Sequence, residues 1–282
     1  MAQHLTQRCG QQIPKREVSL DTLSEIVEPF EKSEFNRELI MKNNTLEPSP
    51  QLYARIAGAL YLAVIGLGIF AEAYAINHFR ASGDVSTLAQ NILAEPTLWN
   101  LSAMANLLLG MCAIALTGLL YILLKPVNRN LIVLGTFFGM LSLAIEMISK
   151  LFQLLINPLL TSPSMTKAFD PAQLNALANF ALRAHDIAFN IALILFGVTC
   201  IIWGYLIFRS GYLPKLIGVL MQIAGACYLI ACFSALFFPT FANMISPAIL
   251  LPALIGEASL CLWLLVKGVN LAKWNHQLNS TS

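Results

Sequence analysis

Charge is scarce in this chain. Only 11% of its 282 residues are Asp, Glu, Lys or Arg, against about 25% in ordinary soluble domains. Apolar residues make up 57%, so lipid must be the solvent for most of the chain. No dense basic face exists, which excludes nucleic acid as a partner. The six cysteines form no C-x-x-C pair. Cys112, Cys200, Cys227, Cys232 and Cys261 lie inside apolar runs and read as small packing residues, with Cys9 apart from them. Zinc-protease, serine-hydrolase, Walker and haem-attachment motifs are absent, as is an arginine-rich voltage-sensor helix. No catalytic residue, cofactor or metal is therefore assigned. No tandem repeat joins the two halves, which argues against an inverted-repeat transporter. The opening fifty residues are polar, so no secretory signal peptide is expected. The first apolar helix should serve as its own insertion signal.

What the chain does have is six long apolar runs: Tyr53–Asn77, Leu98–Leu124, Leu131–Ile156, Ile187–Phe208, Leu216–Phe238 and Pro247–Val266. Each is near or above the roughly 20 residues that cross a bilayer. Unpaired backbone groups are too costly in lipid for anything but helix. The expected fold is all-α, a polytopic membrane protein with a six-helix bundle at residues 51–270. A polar extension (1–50) precedes it and a C-terminal tail (271–282) follows. Lys125-Pro126 should end the second helix, and Ser210-Gly211 with Pro214 should stop the fourth and restart the fifth. Asp170-Pro171 reads as an N-cap and first-turn proline, so the fourth helix should begin well before its membrane span. Within the extension, Leu20, Leu23, Val27 and Phe30 recur at helical spacing among acidic residues. That segment reads either as a loosely ordered cytoplasmic extension or as a docking helix for a partner protein, which the sequence does not identify.

Positive charges set the expected orientation. Lys125 and Arg129, Arg209 and Lys215, and Lys267 and Lys273 flank one set of helix ends. The opposite loops hold fewer. Both termini should be cytoplasmic, in the cell membrane. With that threading, Glu72, Glu146, Lys150, His185, Asp186 and Glu257 map to one half of the membrane, with Asn106 deeper and Glu257 near the midplane. Glu146, Lys150, Gln153 and Asn157 follow at i, i+4, i+7 and i+11, so they share one face of the third helix. Arg183, Asp186 and Asn190 make a similar stripe on the fourth. One charge at the centre of a span costs about 2.5–3.5 kcal/mol on insertion scales, so both stripes should face the bundle interior or a wet cavity.

These residues leave several readings open. Glu146–Lys150 is either a neutralised structural pair or part of a site. Glu257 bonds to Lys150 or an amide, or takes a ligand or proton. His185 is either solvated at the interface or functional. Asp84 reads as the N-cap of a short outer helix. Gly135-x-x-x-Gly139 reads as a close-packing site. The first functional reading is a protein that binds or carries a small molecule or lipid in an outward-facing pocket lined by Glu72, Asn106, Glu146, Lys150, His185, Asp186 and Glu257. The second is an intramembrane metal-dependent hydrolase at the outer leaflet, using His185, Asp186, Glu72 and Glu257, although one His with carboxylates is thin for zinc. The third is a structural or regulatory subunit.

The order of short motifs carries a resemblance. Ala54-Arg55-Ile56-Ala57-Gly58 opens the first helix and Gly68-Ile69-Phe70-Ala71-Glu72 nears its end. Gly83-Asp84, Asn91-Ile92 and Leu124-Lys125-Pro126-Val127-Asn128 follow. Phe208-Arg209-Ser210-Gly211-Tyr212-Leu213-Pro214-Lys215 comes next, and Gly256-Glu257 with the run Leu262 to Asn270 closes the domain. Together these resemble the bacterial membrane family called domain of unknown function 4386, over about Tyr53 to Asn270. The resemblance implies a six-helix bundle and no assigned activity. Where that family is expected to carry an Arg and an acidic residue early in the second helix, this chain has Asn100 and Asn106. After the fourth-helix glycine it has Thr199. Any chemistry those positions perform would here be modified or reduced.

Overall fold

The structure, a computed structural model, describes residues 49–80 and 87–281. The amphipathic segment from Leu20 to Phe30, Cys9, Pro48 and Asp84 lie outside the described residues. The described part is helical, and six of its helices are long and apolar enough to cross a membrane. The first span, α1, runs over Pro50–Arg80. It starts at Ser49, whose hydroxyl accepts from the Leu52 amide, and contains a wider π-helical stretch at Ile69–Ile76. A short helix, α2 (Leu88–Ala94), precedes α3 (Pro96–Leu124) and α4 (Arg129–Thr161). The short α5 (Pro163–Ala168) leads to α6 (Pro171–Ser210) and α7 (Lys215–Phe237). After α8 (Pro239–Ile245) come α9 (Leu251–Val266) and α10 (Leu271–Thr281).

The turn chemistry acts where it was expected. Asp170 and Gln173 form a reciprocal capping box, and α6 starts at Pro171. It ends at Gly211, whose φ of 71° places it in the left-handed region that glycine tolerates best.

Each span packs against its neighbour in the chain, and α9 closes back on α1. The result is a closed up-and-down ring, in the order α1, α3, α4, α6, α7, α9. At the closure, the Gln51 amide donates to Lys267 O and its carbonyl accepts from the Val269 amide. The start of the first span and the end of the last therefore share one end of the bundle, here the proximal end. Glycines set the closest approaches. A Cβ on Gly204 would stand 2.6 Å from Gly218 O, and one on Gly197 would stand 2.9 Å from Gly225 O. Two facing glycine pairs thus bring the backbones of α6 and α7 together. Gly135, read as a packing residue, meets Ile202 of α6 in the same way.

The interior is layered. One apolar core, with Tyr61, Leu120, Leu124, Trp203, Leu206, Met221 and Leu264, fills the proximal part. A second, with Phe79, Ile92, Trp99, Ile156, Leu174 and Leu182, fills the distal end. Between these two cores lies a buried polar layer.

Candidate functional site

Four spans supply the polar layer. On α4, Lys150 and Gln153 are fully buried and Glu146 is partly so. Three residues of the predicted stripe thus face inward together. Asn106 on α3 and His185 on α6 are also fully buried. Glu72 comes from α1 and lies in the π-helical stretch, where the Asn77 side-chain amide donates to Ala73 O. Such stretches are rare and are often found at functional sites.

The centre is an ion pair. Lys150 Nζ lies 2.6 Å from Glu72 Oε1 and 3.9 Å from Glu146 Oε1. The pairing foreseen within α4 is therefore the longer of the two, and the primary partner comes from α1. Asn106 Nδ2 donates to Glu72 Oε1 at 3.0 Å and to Gln153 Oε1 at 2.9 Å. Gln153 then donates to Ser102 Oγ, which donates to Trp99 O. His185 Nδ1 lies 3.0 Å from Ser149 O. A carbonyl only accepts, so Nδ1 carries the hydrogen. His185 Nε2 faces Glu72 Oε2 across 3.6 Å, too far for a hydrogen bond. The Phe189 ring stacks on His185 and lies 4.3 Å from Lys150 Nζ. Two buried atoms of this layer, Asn106 Oδ1 and His185 Nε2, have no hydrogen-bond partner among the described residues.

The layer is not sealed evenly. The Lys150 side chain is 1% exposed, whereas Glu72 keeps 21%. The opposition of Cys261 and Gly58 suggests why. Ala248, the first residue of the sixth span, falls about level with residue 71 at roughly 1.5 Å per residue. Beyond that level α1 has no length of α9 beside it.

Two of the residues assigned to the pocket from sequence lie elsewhere. Asp186 pairs instead with Arg80 at the distal end of α1, at 2.6 Å, and both are more than a third exposed. Arg183 is exposed and Asn190 donates to Asp186 O. Of the second stripe only Arg183 is exposed, with Asp186 and Asn190 half-buried, whereas His185, one residue off it, is fully buried. Glu257 is buried on α9, but its partner is the Tyr228 hydroxyl on α7 at 2.6 Å, neither Lys150 nor an amide. It lies nearer the proximal end than Glu72, by about 15 Å at the helical rise. Tyr228 could not be chosen from sequence, because one tyrosine in an apolar helix carries no partner information. The other polar residues quoted are structural: Asn157 donates to Asn100, and Thr199 donates to Leu195 O and Gly135 O.

Of the four ligands the hydrolase reading required, only His185 and Glu72 converge. Among the described residues no three His, Cys, Asp or Glu side chains group as a metal site would need.

The fold and the buried ion-pair layer define a helical membrane protein of the multi-pass class. The chain belongs to the family described as Domain of unknown function (DUF4386), whose profile matches residues 56–268. No curated protein matches the chain, and no solved structure does.

Proposed function

We propose that the protein binds, and in the membrane carries, a small molecule or lipid at the polar layer formed by Glu72, Asn106, Glu146, Lys150 and His185. The observation that supports this is the pair of orphaned atoms, Asn106 Oδ1 and His185 Nε2, beside a carboxylate that remains accessible. Each buried unpaired polar group costs about 1–3 kcal/mol, and these two border the carboxylate of the layer that stays accessible. We place the layer in the outer half of the cell membrane with both termini cytoplasmic. Lys125, Arg129, Arg209, Lys215 and Lys267 flank the helix ends on the proximal side, as short cytoplasmic loops do.

The test is thermal unfolding in mild detergent against a panel of amines, carboxylates, phosphates, sugars and lipids, for the parent and Glu72→Gln. At least one class should raise the parent's Tm and leave the variant's unchanged. A panel in which nothing stabilises the parent would overturn the binding reading. For orientation, a tag at Ser282 should resist protease added outside intact cells; digestion there would invert the assignment.

A further inference from the structure

We infer that the ligand presents a primary ammonium group to this layer. The inference rests on the binding reading above and names the chemistry that site would accept. Charge comes first. Glu72 and Glu146 face one ammonium, that of Lys150, at 2.6 and 3.9 Å. Two buried or half-buried carboxylates therefore share a single lysine ammonium. A surplus buried charge is normally matched by a partner.

Hydrogen bonding points the same way. Both Asn106 Nδ2 hydrogens are used, one on Glu72 and one on Gln153, which fixes its Oδ1 as the orphan. His185 spends its Nδ1 hydrogen on Ser149 O, and in the neutral imidazole its orphaned Nε2 carries a lone pair. Glu72 Oε2 faces that nitrogen at 3.6 Å. The two orphaned atoms of the layer, Asn106 Oδ1 and His185 Nε2, flank one carboxylate, that of Glu72. The complementary ligand is a cation with several N–H donors. A primary ammonium has three and no acceptor, while a quaternary ammonium has none. An alkali or alkaline-earth ion prefers oxygen ligands, and here one of the acceptors is an imidazole nitrogen. Lys150 can remain in the site, because Glu146, four residues away on the same helix, is within reach of its ammonium when the ligand takes Glu72.

The ammonium can come from a soluble amine or from an aminophospholipid headgroup, and the experiment separates these. Tm is measured in detergent with ethanolamine, tetramethylammonium, sodium chloride and sodium acetate. It is also measured in nanodiscs of phosphatidylethanolamine and of phosphatidylcholine. Stabilisation by ethanolamine, or by phosphatidylethanolamine over phosphatidylcholine, is expected, with tetramethylammonium, sodium and acetate inert. Ethanolamine acting alone identifies a soluble amine; the headgroup acting alone identifies the lipid. Glu72→Gln and Glu146→Gln should each weaken the effective ligand at least tenfold. Glu146→Gln keeps the 2.6 Å pair and so remains usable if Glu72→Gln does not fold. Stabilisation by acetate, or equally by tetramethylammonium or sodium, would overturn the ammonium assignment and leave the binding reading standing. Silence from every probe here and in the wider panel would overturn both.

Discussion

Lys150 is the most consequential single residue. It is a fully buried cation in a membrane span, and it is tolerated because Glu72 of another helix meets it at 2.6 Å. Removing one partner of such a pair is far worse than removing both, because an uncompensated charge stays behind. Lys150→Met should therefore lose about 3–5 kcal/mol of stability, and adding Glu72→Gln should restore part of it. Unfolding in detergent checks both, and an unchanged single variant would show that the pair does not hold the bundle. Tyr212, in the loop between α6 and α7, makes a quieter contribution. Its hydroxyl donates to Leu123 O at 2.6 Å. Burial pushes the phenol's pKa up, so folding favours the protonated donor. The bond's contribution is then fully present below about pH 10, the unfolded value, and is lost as pH rises further. Tyr212→Phe should cost about 1–2 kcal/mol at neutral pH. The deficit should stay constant up to about pH 9 and narrow above about pH 10, as read from denaturation curves across pH.

At the scale of the element, the α6–α7 pair depends on the absence of side chains. Gly197 and Gly204 face Gly225 and Gly218, and the opposing atoms are backbone carbonyls, which cannot rotate away. Even alanine at Gly204 must push the helices apart, and Gly204→Leu should destabilise by more than the usual 1–3 kcal/mol of overpacking. Gly118 is the control. It has open space where a Cβ would go and an exposed position within α3. Gly118→Ala should be neutral or stabilising by up to about 1 kcal/mol, the propensity difference in a helix. Paired melts of the two variants separate packing from propensity; equal melts would deny the glycine contact its role. Gly135 and Gly139 announce themselves by their x-x-x spacing. The Gly197–Gly204 and Gly218–Gly225 pairs stand seven apart on two helices, and only their partner across the gap explains them.

The whole molecule is held as a ring, and the seam between α9 and α1 is where it would open. Gly58 packs against Leu265, Cys261 Sγ donates to Gly58 O, and Gln51 bridges to Lys267 and Val269. A Cβ on Gly58 would reach backbone atoms of Leu265 at 2.5 Å. Gly58→Leu should loosen α9 and expose the α7–α9 connection to protease ahead of the rest of the chain. Limited proteolysis reads this directly, and a digestion pattern like the parent's would mean the seam adjusts. The seam also bears on the site. The sixth span begins about level with residue 71 at the helical rise, so Glu72 sits where the wall beside α1 ends.

The sequence by itself determined the six spans, the early start of α6 and its Gly211 stop, and the inward stripe on α4. These follow from hydropathy, caps and helical periodicity, which act over a few residues and leave their mark on neighbours in the chain. Only the tertiary structure decided which polar residues meet. Glu72 and Lys150 are far apart in sequence, and helices of similar polarity can be arranged around a ring in many orders. The same arrangement paired Asp186 with Arg80, gave Glu257 a tyrosine instead of a lysine, and turned His185 toward Glu72. A pattern of one helix fixes the direction of each side chain around its own axis. What it then faces depends on rotation and neighbours, which are set by close-packing glycines on other helices.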